Sequence, residues 1–331
     1  MKISGGMWPQ PGQRMRNKPE KGKAMADRDE MLQIDLCGGQ VRVMLCETTR
    51  TVQRCTDIHE CTPVCSAALG RLMTGTLMLG IMMKGEDESV TVTIKGDGPM
   101  GSLVAVADHG NVRACADDTQ VELPLREDGK LDVGGAVGHS GRMSVIKDLG
   151  LKKNYIGQSE LVNGEIAMDF AQYFTVSEQQ PSLVALGVLV NGDRILKAGG
   201  LLIQPLPGCP DEIIDQLELR SPMFADISRE MTFAPIEQLC SDWFRGMNPV
   251  ILERTPISYR CTCSRERMEK ALISLGRKDL TDLTEEDHGA ELVCHFCRSR
   301  YAFSENDLRE LIRNASENGG EKPDEDADYK L

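Results

Sequence analysis

Two closely spaced cysteine pairs near the C-terminus constrain the fold of this 331-residue chain more than any other feature. The pairs are Cys261-Thr262-Cys263 and Cys294-His295-Phe296-Cys297. Four thiolates can close a tetrahedral Zn²⁺ site, and a C-x-x-C pair joined across a loop-length insert to a second close pair is typical of bound zinc. Because only Thr262 separates Cys261 from Cys263, these two sulfurs would bind the metal with a narrower S–Zn–S angle than a C-x-x-C pair. The sequence therefore predicts one zinc ion bound by all four cysteines, with two structural disulfides or unrelated core thiols as the alternatives.

The N-terminus and the cysteine content indicate a reducing compartment. The first residues contain neither an apolar stretch nor the small-residue cleavage site of a secretory signal. Twelve cysteines in a chain of this length suggest free or metal-bound thiols, because disulfide scaffolds belong to short secreted proteins. We therefore expect a cytoplasmic protein. The cysteines outside the two pairs are predicted to be small buried hydrophobic residues: Cys37, Cys46, Cys55, Cys61, Cys65, Cys115, Cys209 and Cys240.

The longest apolar run, residues 64–83, approaches the length of a membrane span. Arg71 lies inside this run and three glycines interrupt it, so we predict a buried core helix and no association with a membrane. Thr62 as N-cap and Pro63 at the first helical position would give that helix a defined start.

Charge and motif content argue against several classes of partner. The net charge of −13 repels phosphate backbones, and an aromatic content of 4% offers no stacking platform for bases. No G-x-x-x-x-G-K-[ST] loop is present, so no ATP is expected. We predict a protein that is not an enzyme and binds no nucleic acid. The histidines show neither the spacing of a metal site nor that of a catalytic triad, and each is predicted to be exposed or hydrogen-bonded: His59, His109, His139, His288 and His295. His295 lies inside the zinc loop and could tune the site.

Hydrophobic patterning predicts an α+β fold. Residues 89–95 alternate apolar and polar positions like a half-buried strand, and turns such as 96–99 separate similar segments. We predict a β-rich N-terminal domain with packed helices, a helical linker and a small C-terminal zinc-binding domain. The linker is predicted to be helical to about residue 255 and marginally stable, because its short helices carry few large apolar residues. The predicted boundaries are 1–28 for a disordered basic tail, 29–207 for the β-rich core, 208–257 for the linker, 258–314 for the zinc-binding domain and 315–331 for a disordered acidic tail.

Four stretches of the sequence occur together and in the same order in a known family. They are Tyr259-Arg260-Cys261-Thr262-Cys263-Ser264-Arg265-Glu266-Arg267, the Cys294-x-x-Cys297 pair, Lys95-Gly96-Asp97-Gly98-Pro99-Met100-Gly101 and Gly199-Gly200-Leu201-Leu202-Ile203-Gln204-Pro205-Leu206-Pro207. On these residues the chain resembles the thirty-three-kilodalton chaperonin family, the redox-regulated heat-shock holdases of bacteria.

The resemblance implies a chaperone that needs no ATP and binds unfolding or oxidatively damaged client proteins. It implies an inactive state when the protein is reduced and zinc-bound. Oxidation would convert the zinc ligands into two disulfides, Cys261–Cys263 and Cys294–Cys297, with release of zinc and unfolding of the linker. The β-rich core would then bind clients and form a homodimer, which is the active form in that family.

Other interpretations start from the same residues. The main alternative is a constitutive zinc-ribbon adaptor that binds protein or nucleic acid without redox switching. Arginines around the cysteines favour this adaptor, but acidic residues of the same unit cancel their positive charge. A thiol-disulfide oxidoreductase would place its C-x-x-C at a helix N-terminus, whereas Cys294 and Cys297 lie between strand-like segments. The string Gly96-x-Gly98-x-x-Gly101 fits a dinucleotide fingerprint only superficially, because residues 102–106 continue as a strand and favour a hairpin turn.

Overall fold

The computed structural model describes residues 28–317 except residues 84, 86 and 152. The two predicted tails lie almost entirely outside these residues. The strands are β1 (Glu30–Leu36), β2 (Val41–Glu47), β3 (Ser89–Gly96), β4 (Ser102–Asp108), β5 (Asn111–Ala116), β6 (Gly141–Asp148), β7 (Tyr155–Glu160), β8 (Leu183–Asn191), β9 (Arg194–Pro205), β10 (Val250–Pro256), β11 (Ser258–Tyr259), β12 (Gly289–Val293) and β13 (Arg300–Ser304). The helices are α1 (Thr49–His59), α2 (Pro63–Ile81), α3 (Val133–Val137), α4 (Ala167–Val176), α5 (Asp211–Arg220), α6 (Ile227–Glu230), α7 (Ile236–Trp243), α8 (Arg265–Ser274), α9 (Arg277–Glu285) and α10 (Glu305–Glu317), with a 3₁₀ turn at Ser221–Phe224.

Two sheets form the body of the protein. The five-stranded sheet has the order β10-β1-β2-β9-β8 and is antiparallel throughout. The six-stranded sheet has the order β11-β5-β4-β3-β6-β7 and is antiparallel except for β11, which runs parallel to β5. A separate hairpin of β12 and β13 lies in the C-terminal part. The predicted α+β fold with a β-rich N-terminal domain is confirmed.

Helix α2 is the central element of the main core and confirms the helix predicted over residues 63–83. The extended residue Thr62 precedes it, but the Thr62 hydroxyl donates to the carbonyl of Val121 at 2.6 Å and does not cap the helix. Strands of both sheets pack against α2. By length and composition α2 could cross a membrane, yet 89% of its apolar window is buried inside the protein. Gly75 permits this packing, since a Cβ there would lie 2.3 Å from the ring of Phe170.

The glycine-rich string at residues 96–101 forms the tight connection between β3 and β4. Gly98 donates its backbone N–H to the carbonyl of Val137 at 3.1 Å, and Gly101 adopts a left-handed φ of +67°. Residues 102–108 continue as a strand and open no helix. The hairpin prediction is confirmed, and the dinucleotide-binding interpretation is excluded at this position.

The linker helices bury more apolar surface than predicted. Helices α5, α6 and α7 cover the face of the five-stranded sheet that points away from α2, and they share a second hydrophobic core with it. The rings of Phe224, Trp243 and Phe244 are buried there, with the Phe224 and Trp243 centroids 5.3 Å apart. The expectation of few large apolar residues was therefore wrong, because three aromatic rings and several aliphatic side chains converge on one face.

Strand β10 corrects the prediction that the linker is helical to about residue 255. Residues 250–256 are extended and pair with β1 in an antiparallel register from Asp35 to Glu30. The apolar triplet Val250, Ile251 and Leu252 is exposed, so burial does not specify its conformation. Pairing with the open edge of β1 specifies the strand instead.

The C-terminal unit is small and has its own apolar core. Helix α10 begins at Glu305, directly after Ser304. Ser304 donates its backbone N–H to the Asp307 carboxylate at 2.8 Å, and its hydroxyl accepts from the Asp307 backbone N–H at 3.3 Å. The helix continues to Glu317, beyond the predicted domain end at residue 314. This apolar core is formed by Leu272, Leu280, Phe303, Leu308 and Leu311.

Candidate metal centre

The structure brings the four predicted cysteines together. Cys261 and Cys263 lie between β11 and α8, whereas Cys294 and Cys297 lie in the loop between β12 and β13. All four sulfur atoms lie within 4.8 Å of one another. Two sulfur contacts join the pairs, at 3.7 Å for Cys261 and Cys294 and at 3.3 Å for Cys263 and Cys297.

These distances fit a tetrahedral thiolate site. Zinc–sulfur bonds of about 2.3 Å require neighbouring sulfurs to lie about 3.8 Å apart at the corners of a tetrahedron. The Cys261–Cys294 contact of 3.7 Å matches that spacing, and the Cys263–Cys297 contact of 3.3 Å is shorter than it. The four thiolates could therefore hold a zinc ion without a large rearrangement of either loop.

The loop that carries Cys294 and Cys297 is fixed by its backbone. The N–H of Cys294 donates to the carbonyl of Ser299, and the N–H of Arg298 donates to the carbonyl of Cys294, both at 2.9 Å. Arg298 adopts a left-handed φ of +58°, which turns the chain back into β13. This tight turn keeps both sulfurs on one side of the loop, as a zinc knuckle requires.

Polar groups contact two of the sulfurs. The Tyr301 hydroxyl lies 3.1 Å from the sulfur of Cys263, and the Ser299 hydroxyl lies 3.2 Å from that of Cys297. Burial raises the pKa of Cys297, but hydrogen bonds from the Ser299 hydroxyl and backbone outweigh it and lower the pKa to about 7. Burial raises the pKa of Cys261 and Cys294. The four thiols are therefore not equivalent.

The loop between β12 and β13, which carries Cys294 and Cys297 and is called the knuckle below, contacts the N-terminal core through Phe296. The Phe296 carbonyl accepts hydrogen bonds from Nε2 of His59 at 3.0 Å and from the hydroxyl of Tyr259. The guanidinium carbon of Arg113 lies 5.3 Å from the centre of the Phe296 ring. Strand β11 adds a direct link, because it pairs with β5 of the core. A few polar and aromatic contacts thus join the C-terminal unit to the core.

Sequence reasoning did not identify His59, Tyr259 or Arg113 as part of this interface. His59 is buried, and it contacts a carbonyl 237 positions along the chain. No local pattern around such a residue could reveal its partner. His295, which the sequence suggested as a tuning residue, is exposed.

The remaining cysteines divide into two groups. Five are buried, as predicted: Cys46, Cys55, Cys61, Cys65 and Cys240. Three are half-buried, so the prediction of full burial was wrong for them: Cys37, Cys115 and Cys209. Cys37 and Cys209 pack at the margin of the second core, whereas Cys115 lies on β5 beside the docked knuckle.

Comparisons with known proteins agree with this site and fold. The profile of the family described as Hsp33 protein matches residues 29–304. The 33 kDa chaperonin of Ruminiclostridium cellulolyticum is 44% identical over 287 residues, which cover 86% of this chain and 98% of the relative. The 33 kDa chaperonin of Bacillus subtilis is 46% identical over 275 residues, which cover 82% and 94%.

A solved structure shows the same architecture. The 33 kDa chaperonin (heat shock protein 33 homolog) of Thermotoga maritima aligns with a TM-score of 0.81 and 33% identity, over 88% of this chain and 99% of that one. The family match, the identities over nearly whole chains and this structural likeness lead to one conclusion. The protein belongs to the Hsp33 family of chaperones.

Proposed function

We propose that this protein is a redox-regulated, ATP-independent holdase that binds unfolding or oxidatively damaged proteins and prevents their aggregation. The observation that carries the proposal is the convergence of four cysteine sulfurs within 4.8 Å in a small unit docked on the core. Thiolates are the oxidisable form of sulfur, so such a cluster combines metal binding with sensitivity to peroxide or hypochlorous acid.

In the reduced form, Cys261, Cys263, Cys294 and Cys297 would bind one zinc ion per chain. Zinc held by four thiolates supplies folding free energy, about 10–16 kcal/mol in zinc-finger peptides. The C-terminal unit needs this contribution, because its own core contains only a handful of buried apolar side chains among the residues described. Loss of the thiolates should therefore unfold the unit.

Oxidation would produce the disulfides Cys261–Cys263 and Cys294–Cys297. In the folded unit all four sulfur atoms lie within 4.8 Å of one another, so each cysteine has its partner in the sequence pair close by. Loss of the metal and unfolding of the unit would then separate the two loops. Once separated, each cysteine has its nearest partner two or three positions away along the chain.

Unfolding of the unit would reach the linker through residues 256–259. Ile257 is buried in the main core, and its N–H donates to the carbonyl of Asp29 at 3.0 Å. The same segment joins β10 to β11, so loss of the knuckle contacts at Tyr259 leaves β10 and the helices before it less constrained. We propose that residues 208–257 form the linker that then opens.

Opening of the linker would uncover an apolar surface for clients. The face of the five-stranded sheet beneath α5, α6 and α7 carries a cluster of buried apolar side chains. Its buried residues include Leu32, Ile34, Val43, Leu45, Leu201 and Ile203. An exposed apolar patch of this kind binds other unfolded chains without hydrolysing a nucleotide. The core, residues 29–207, would thus bind clients and form the homodimer in the cytoplasm, with no ATP, nucleic acid or catalytic turnover.

A constitutive zinc-ribbon adaptor is the second candidate, and the arginines near the cysteines favour it. Several of them are already engaged. Arg265 pairs with Glu269 at 3.4 Å and with Asp307 at 3.1 Å, and Arg300 pairs with Glu291 at 2.7 Å. These ion pairs reduce the positive charge available to phosphates, which weakens the case for nucleic-acid binding.

Zinc content and aggregation suppression, measured on the same samples, separate the two functions. The reduced protein should contain one zinc per chain and leave the aggregation of a heat-denatured client unchanged. After peroxide at mildly elevated temperature it should release zinc and suppress aggregation without ATP. If the oxidised protein loses zinc but does not suppress aggregation, the holdase function is refuted. If the oxidised protein retains zinc and its binding to a protein or nucleic-acid partner is unchanged, the adaptor is favoured.

A further inference from the structure

A cavity of about 390 Å³ lies where the end of the linker meets the core. The first half of α1 lines one part of it with Arg50 and Arg54, and residues 256–259 line another part. Arg28 and Asp29 also belong to the lining. Cavities of this size admit a small-molecule ligand. The core and the segment that restrains the linker thus build this cavity together, and it is called the arginine pocket below.

Positive charge dominates the arginine pocket. Three of its residues are exposed arginines: Arg28, Arg50 and Arg54. Asp29 is the acidic residue of the lining, but its carboxylate is buried and accepts the backbone N–H groups of Arg50 at 3.1 Å and of Thr51 at 2.6 Å. Among the residues that the structure describes, neither Arg28 nor Arg54 forms an ion pair.

The carboxylates that lie near these residues in the sequence have other partners. Glu30 pairs with Arg254 at 3.1 Å. Asp57 lies three positions after Arg54 and accepts a hydrogen bond from the Gln53 side-chain amide at 2.9 Å. The positive charge of the arginine pocket is therefore available to a bound anion.

The placement of the arginines works against the stability of helix α1. Arg50 is the second residue of the helix, and Arg54 lies four residues later on the same face. Cations near a helix N-terminus and like charges at this spacing both disfavour a helix. Residues that break a local rule are expected at functional sites. Because Asp29 already accepts the N–H groups of Arg50 and Thr51, the guanidinium groups would supply the contacts to a ligand.

We propose that the arginine pocket binds a small anion with two or more phosphate groups, and that this anion keeps the linker closed. Guanidinium groups donate paired hydrogen bonds that match the geometry of phosphate oxygens, and several such groups suit more than one phosphate. The closing effect rests on the proposed function, in which residues 256–259 restrain the linker.

The closing effect follows from the composition of the pocket. Residues 256–259 would leave their place when the linker opens, whereas Arg50 and Arg54 stay on the core, so the complete pocket exists only in the closed protein. A ligand that binds one of two states stabilises that state. At a concentration of about 100 times its Kd, the anion should lower the open fraction of the linker about 100-fold. It would therefore delay activation by oxidants.

Calorimetric titration of the reduced, zinc-loaded, full-length protein with sodium tripolyphosphate tests the pocket. One anion per chain should bind, and binding should weaken as the salt concentration rises. Arg54→Gln should raise the Kd about tenfold or more, because charge-assisted hydrogen bonds are lost. Arg28→Gln should act in the same direction.

Arg42→Gln is the matched control. Arg42 is an exposed arginine on β2 outside the pocket lining, so this variant changes the net charge by the same amount. Its Kd should equal that of the unmodified protein. Chelation of zinc by the probe would affect all the proteins alike, so the difference between Arg54→Gln and Arg42→Gln reports the pocket alone.

Amide hydrogen exchange on the same samples tests the closing effect. Saturating tripolyphosphate should slow the exchange of peptides from residues 211–259 by up to about 100-fold, and it should change the exchange of Arg54→Gln much less.

Three results would overturn the inference. The absence of saturable binding would refute the pocket, and so would an equal loss of affinity in Arg42→Gln and Arg54→Gln. Binding without slower exchange would refute the closing effect. If tripolyphosphate binds and slows exchange but no oxidised sample suppresses aggregation, the pocket and its effect on the linker stand and the proposed holdase function fails.

Discussion

Truncation of Leu239 tests whether the linker controls access to the client surface. Leu239 lies in α7 and is 5% exposed, within the core that the linker helices share with the five-stranded sheet. Leu239→Ala removes buried methyl groups far from the cysteines. We expect it to open the linker while the metal centre remains intact.

The expected magnitude follows from this burial. A buried Leu→Ala change costs about 2–5 kcal/mol, and each 1.4 kcal/mol corresponds to a factor of about ten in an equilibrium. The open fraction of the linker should therefore rise by about 30-fold to about 4,000-fold. Leu219→Ala is the matched control, because Leu219 lies in the linker helix α5 but is 83% exposed.

Amide hydrogen exchange measures this directly. Peptides from residues 211–247 should exchange faster in Leu239→Ala by a factor in that range, whereas peptides from α2 stay protected. Zinc content should remain at one per chain, and the reduced variant should suppress client aggregation. Faster exchange without aggregation suppression would show that the linker is not the gate. Exchange as slow as in Leu219→Ala would refute the packing argument itself.

Other parts of the structure give equally direct expectations. Cys263→Ser should lower zinc content below one per chain, whereas Cys240→Ser should leave it unchanged; full zinc content in Cys263→Ser would exclude that ligand. Burial and the Arg298 charge lower the pKa of His59. Docking of the C-terminal unit on the core should therefore be strongest above the ordinary histidine pKa of about 6.5 and should weaken as the pH falls below it. Amide hydrogen exchange of the C-terminal unit would report this change. His59→Gln keeps a donor and should remove that pH dependence, unless another group causes it. Gly75→Ala should lower the free energy of unfolding by about 1–3 kcal/mol in urea titrations, and a second change, Phe170→Leu, should restore part of it.

Local sequence signals were sufficient for α2 and the cysteine cluster. Pro63 marks the start of helix α2, and the spacing of the cysteines predicted their convergence. Helix α1 was missed for a physical reason. Its first backbone N–H groups are satisfied by a residue distant in sequence, since Asp29 accepts from Arg50 at 3.1 Å and from Thr51 at 2.6 Å. A cap that comes from 21 residues upstream leaves no N-terminal signature.

Tertiary pairing explains the other differences. Residues 250–256 became a strand because β1 has an open edge beside them, not because of their own pattern. The interface at Phe296 likewise depends on two segments that meet only in the folded chain. In both cases the deciding partner is more than 200 positions away. The sequence of either segment alone therefore does not predict its partner.

The position of β10 has a consequence for how clients could be recognised. While β10 is in place, it occupies the backbone N–H and carbonyl groups along one side of β1, from Glu30 to Asp35. Departure of the linker would leave those groups without partners next to the uncovered apolar face. An unpaired strand accepts any extended chain through main-chain hydrogen bonds, whatever its side chains. The edge of β1 would then select clients by their extended backbone, so that unfolding itself, and no particular sequence motif, would mark a protein for binding.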